Sequence, residues 1–109
     1  MSQYQALEQA LRELEAAMRA GNMWRQDEPT PQELASREPF CTDTMNLPQW
    51  LRFVLVTRLK TMIDARQPLP SNADMAPAAE LYLTQYSMGA KRPVVEAVKQ
   101  IDNILNGIY

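Results

Sequence analysis

The sequence predicts an all-α protein, an antiparallel bundle of four long helices folded as one domain over residues 1–109. Apolar residues recur at i, i+3, i+4 and i+7 in separate stretches, the repeat of a buried helical stripe. The strong helix formers Ala, Leu, Glu, Gln, Arg and Met dominate, and only 3 glycines interrupt them. Proline and glycine mostly fall between the periodic stretches, and no alternating strand pattern competes.

The first helix is expected at about 3–20. Tyr4, Leu7, Leu11, Leu14 and Met18 make its stripe, and Ser2 can cap it. Glu8 with Arg12 and Glu15 with Arg19 are i, i+4 pairs, each worth about 0.3 kcal/mol. Gly21 supplies the stop, because it takes a left-handed backbone without penalty. Trp24 then anchors the following loop. Thr30-Pro31-Gln32-Glu33 has the form of a capping box with proline at the first helical position. It predicts a short helix near 31–37, stopped by Glu38-Pro39, since the residue before proline resists helical geometry.

Residues 38–46 carry Pro39, Phe40, Cys41 and Met45. Large apolar groups in a loop mean that it folds back onto the core as an ordered lid. Asn46 caps a second long helix at about 47–66, with Pro48 tolerated in its first turn. Leu47, Trp50, Leu51, Val54, Leu55, Leu59, Met62 and Ile63 give it a wide apolar face, so it is expected to be central. Arg58 falls on that face. A buried guanidinium needs a partner, and Asp43, Glu33 and Glu80 are the candidates. A third helix, about 75–87, is capped by Asp74. Its stripe is Met75, Ala79, Tyr82 and Tyr86 with Leu81 alongside, and Gly89 ends it. The last helix, about 92–106, starts at Pro93, carries Val94, Val98, Ile101, Leu105 and Ile108, and closes at Gly107.

The formal net charge is −2, so the basic excess of a protein that grips nucleic acid unaided is missing. The single cysteine, Cys41, cannot form an internal disulfide, which fits a reducing cytoplasm. No apolar run approaches the ~20 residues that span a bilayer. There is no histidine, which removes the usual base for a cysteine nucleophile and the commonest metal ligand. No cofactor or metal is expected.

Trp24, then Glu33, Ala35, Ser36, Pro39-Phe40, Cys41, Asp43-Thr44-Met45, Gln49-Trp50-Leu51, Phe53-Val54, Arg58 and Gln67-Pro68-Leu69-Pro70 together resemble the YqcC-like family of small bacterial proteins. The resemblance spans nearly the whole chain, and the motif from Pro39 to Leu51 is its most specific part. Thr57 departs from the pattern, standing where a proline is associated with the position before the arginine. The resemblance implies a small helical bundle without an established activity. It also implies a partner by association, since family genes often lie beside that of the type C tRNA pseudouridine synthase. It carries over no catalytic residue.

The residues singled out for binding are Trp24, Phe40, Trp50, Arg52, Phe53 and Arg58. One reading is an interaction or accessory module without catalysis, presenting Trp24, Arg52 and Phe53 to a protein partner. Another is a ligand pocket floored by Trp50, closed by Phe40 and read by Arg58. A case for RNA would rest on Arg52, Lys60 and Arg66 clustering around an exposed Phe53. An enzyme has the least support.

Overall fold

The computed structural model describes residues 2–109. Helix α1 is Gln3–Ala20, and its start is closed by a reciprocal box. The Ser2 hydroxyl accepts from the Gln5 N–H, and the Gln5 side chain accepts from the Ser2 N–H, both at 3.1 Å. Leu7, Ala10, Leu11, Leu14 and Met18 are buried as one stripe. The chain reverses at Asn22 (φ 58°) rather than at Gly21 (φ −92°), and the Met23 N–H bonds back to the Met18 carbonyl at 2.7 Å. Gly21 serves a different need. A Cβ there would come within 3.2 Å of the Ala90 Cβ, so the missing side chain lets two helices approach.

That second helix runs Met88–Leu105 and is α6 in chain order. At its other end the Gln3 side chain donates to the Ile104 carbonyl at 2.9 Å. Gly21 beside Ala90 and Gln3 beside Ile104 set α1 and α6 antiparallel.

Between them, α2 (Pro31–Leu34) has the expected capping box but stops short of residue 37. The Ser36 hydroxyl is turned to the Glu38 N–H (3.1 Å) and donates to Asp43, a local competitor to helix propagation. The lid is ordered. A 3₁₀ turn spans Pro39–Cys41, Phe40 and Cys41 take left-handed backbones (φ 59° and 50°), and Cys41 and Met45 are buried. The Thr44 hydroxyl donates to the Glu33 carbonyl at 2.8 Å, tying lid to α2.

The central rod is α3 (Leu47–Trp50), a π-helical turn over Leu51–Val56, and α4 (Thr57–Asp64). Asn46 caps it as expected. A π turn accommodates one extra residue, and everything beyond it is rotated by about 100° relative to a straight helix. The buried stripe therefore passes from Leu51 through Leu55 and Val56 to Leu59, with Ile63 half-buried beyond. This corrects the expectation for Arg58, which is exposed. Its expected partners are engaged elsewhere: Glu33 with the Thr30 N–H, Asp43 with Ser36, and Glu80 with Lys91 at 3.1 Å. The irregularity is present with Thr57, not proline, at its end. The Tyr4 hydroxyl donates to the Gln67 carbonyl (2.6 Å) at one end of α1, and Arg52 meets Trp24 at the other, so the rod runs antiparallel to α1.

Helix α5 is Ala76–Tyr82, shorter than the predicted 75–87. Its cap is not Asp74. The buried Asp102 carboxylate, from α6, accepts the Met75 N–H (2.9 Å) and the Ala76 N–H (2.8 Å). One turn on, the Asn106 side chain bonds both the N–H and the carbonyl of Ala73 at 2.8 Å. Leu83 is fully buried, whereas Leu81 and Tyr82, expected on or beside the stripe, are exposed. The Ser87 hydroxyl starts α6 by accepting from the Ala90 N–H at 3.3 Å. Gly89 and Pro93 thus lie inside α6 instead of marking the end of one helix and the start of the next. Pro93 withholds one bond from the Gly89 carbonyl, and Gly89 is exposed to water that can take its place. Ile108, beyond the helix, is exposed, while Gly107 (φ 82°) closes the end as expected.

The all-α expectation holds, with two full-length helices, one broken rod and one short helix in place of four long ones. The thinnest dimension is 22 Å, about two helix diameters.

Candidate functional site

Six residues were singled out by the sequence, and the structure sorts them into three groups. Trp24, Arg52 and Phe53 come together. Phe40 and Trp50 form a separate packing pair. Arg58 stands alone in solvent.

The first group is assembled by the reversal after α1. Asn22 turns the chain, fully buried Met23 pins it, and Trp24 lands half-buried against the core. Arg52, on the π turn, reaches across. Its Nη1 donates to the Trp24 carbonyl at 2.6 Å, and the guanidinium lies 4.6 Å from the Trp24 ring centre and 4.9 Å from that of Phe53. One cation therefore bridges two aromatic rings, an arrangement stabilised by the ring quadrupoles. Arg19 approaches the Trp24 ring at 5.3 Å while bonded to Glu15 at 2.9 Å. Arg19, Asn22, Trp24, Arg25 and Arg52 line an open cleft of about 730 Å³.

The wall is braced from below. Gln26 donates to the Met23 carbonyl (3.1 Å) and accepts from Asn46 (3.3 Å). Gln49 donates to the Asp27 carbonyl at 3.2 Å. The polar segment after Trp24 is thus fastened to the start of α3. Arg19 and Arg25 were not singled out for binding. Their trace in the sequence is their placement five residues before and one after Trp24. The basic cluster expected from Arg52, Lys60 and Arg66 does not form. Arg66 sits 5.3 Å from the Tyr4 ring, and Lys60 lines a different cleft with Glu8, Arg12 and Asp64.

Phe40 and Trp50 meet edge to face at 4.9 Å and 78°, both half-buried against the core. This is the geometry aromatic pairs prefer, and it fixes the lid. Cys41, next to Phe40 in sequence, is a buried free thiol. Among the described residues no group of His, Cys, Asp and Glu could hold a metal ion, and no helix is long and apolar enough to cross a membrane.

Comparison with known proteins identifies the fold and its family. The family DUF446, described as tRNA pseudouridine synthase C, matches residues 6–104. Protein YqcC of Escherichia coli K12 is 42% identical over 73 residues, 67% of each chain. The chain belongs to the YqcC-like family. The solution NMR structure of E. coli YqcC superimposes with a TM-score of 0.82 at 31% identity, covering 100% of this chain and 92% of that one. An uncharacterised protein of Haemophilus influenzae is 28% identical over 79 residues, 72% of this chain and 74% of its own. The tRNA pseudouridine synthase C of Pectobacterium carotovorum is 33% identical over 70 residues, 64% of this chain and only 19% of that much longer protein.

Proposed function

We propose that this protein is a non-catalytic accessory module of the cytoplasm that works beside a tRNA pseudouridine synthase and presents its Trp24–Arg52–Phe53 face to the complex. The observation that carries this reading is the match within the Pectobacterium protein named tRNA pseudouridine synthase C, where a YqcC-like segment occupies 19% of a longer chain. Joining two modules in one polypeptide holds each at an effective concentration of about millimolar relative to the other. A separate chain with the same role must reach its partner by docking. The description attached to the family points the same way.

The chemistry of the face supports a binding role. Arginine stays protonated at every physiological pH, and the rings of Trp24 and Phe53 supply contact area rather than proton transfer. Arginine and tryptophan are also the residues most enriched at interface hot spots.

The test is co-purification of the tagged full chain from cells of its own organism, with and without RNase, followed by titration of the purified pair. The synthase is expected in both eluates, and Trp24→Ala is expected to weaken the titrated binding at least tenfold, the loss of about 1.4 kcal/mol that marks a central contact. Absence of the synthase from both eluates would overturn the reading. The alternative of a pocket near Trp50 and Arg58 has less support, since Arg58 faces solvent and Trp50 packs against Phe40.

A further inference from the structure

We propose that the arginine cleft beside Trp24 is a contact for the phosphodiester backbone of single-stranded or looped RNA. This rests on the accessory reading for its biological setting, but its physical case is local. Among the described residues, the ion pairs are those of Arg12, Arg19, Lys91 and Arg92. Arg25 and Arg52 therefore line the cleft with charges that no carboxylate compensates by contact.

Arg52 is also held in place. One nitrogen is spent on the Trp24 carbonyl, and the guanidinium plane lies over two rings, which leaves the other N–H groups of a fixed fork to a ligand. Pre-ordering a long side chain removes much of the entropy that binding would otherwise cost. A guanidinium fork matches a phosphate bidentately, where an ammonium offers a point charge. Arg52 and Arg19 both lie over the Trp24 ring, at 4.6 and 5.3 Å, so the indole gathers two guanidinium groups at one wall of the cleft. Three guanidinium groups in one cleft match the dense, regular charge of a phosphodiester backbone better than the sparser carboxylates of an acidic peptide.

The rest of the surface opposes a polyanion. Glu15 is bonded to Arg19, Asp27 and Glu28 follow Arg25 in the same loop, and the whole chain carries −2. Binding by the isolated chain is accordingly weak and confined to the phosphates seated in the cleft. The remaining affinity comes from the partner enzyme.

The experiment is fluorescence anisotropy of a short labelled oligouridylate with the purified full chain across a salt series. Two or three seated phosphates predict a log–log salt slope of about −1.4 to −2. Arg25 is exposed, so Arg25→Gln is expected to keep the fold by circular dichroism, weaken binding about tenfold and flatten the slope by about 0.7. Arg52→Lys keeps the charge and loses the fork, so its slope is expected to stay while its affinity falls. Lys99→Gln, towards the other end of α6, is expected to change nothing. Unaltered binding by Arg25→Gln would overturn the proposal, as would an equal loss in Lys99→Gln. So would displacement of the RNA by oligoglutamate at matched charge, which would assign the cleft to an acidic protein. No synthase is present in this assay, and RNase-treated co-purification contains no RNA, so either reading can fail without the other.

Discussion

Between α1 and α6 every buried side chain sits where a 3.6-residue repeat puts it, whereas along residues 39–56 the backbone leaves that repeat twice. The first region is held by facing apolar stripes, a glycine that admits its neighbour, and one side-chain bond from Gln3 to the Ile104 carbonyl. The second is held by side chains that each do something particular: Phe40 against Trp50, Thr44 on Glu33, Arg52 across Trp24. Regular packing gives stability with little individuality. The irregular half turns an arginine and two rings towards solvent, and it is there that the chain has a surface other than a generic one.

Substitutions can break or sharpen this contrast. The largest effect is expected from Leu14→Ala in the regular half. A fully buried leucine is lost from the core stripe, and urea denaturation should show a loss of about 2–5 kcal/mol. Asp102→Ala comes next, at about 2–3 kcal/mol, because it strands the Met75 and Ala76 amides. Asp102→Asn, which keeps an acceptor, should recover part of that loss in the same titration. In the irregular half, Phe40→Leu removes an edge-to-face contact worth about 0.5–1.5 kcal/mol. In a Trp24→Phe background it should red-shift the Trp50 emission as the lid loosens. The smallest effect is expected from Arg58→Met, within about 0.5 kcal/mol of the parent, since the side chain is exposed. A loss of several kcal/mol there would mean that the register beyond the π turn is not the one described.

What could be read from the residues follows the same divide. The stripe and start of α1, the box at Thr30, the cap at Asn46, the tucked lid and the Gly107 stop were all legible, because each depends on neighbours within a turn. The start of α6 was misplaced because Gly89 and Pro93 are breakers by propensity, yet an exposed carbonyl one turn before a proline can be satisfied by water. The π turn was hidden behind an apolar face broad enough to fit two registers. An arginine in the middle of that face was itself the mark of the phase change, and Asp102 among Val98, Ile101 and Leu105 was its counterpart in α6. The arginine marked a change of register within its own rod, and the aspartate a bond to another helix. The arginine cleft needed the third dimension, since Arg19, Arg25 and Arg52 converge only after the chain has reversed.

The capping of α5 by a residue 26 positions further on has a consequence for synthesis. Residues 76–82 emerge from the ribosomal tunnel ahead of Asp102, so the nascent segment at first has no partner for its first amides. A seven-residue helix is too short to persist in water by itself. This piece of the protein therefore becomes helical only after Asp102 has itself cleared the ribosome and docked, which makes it a late step in vectorial folding.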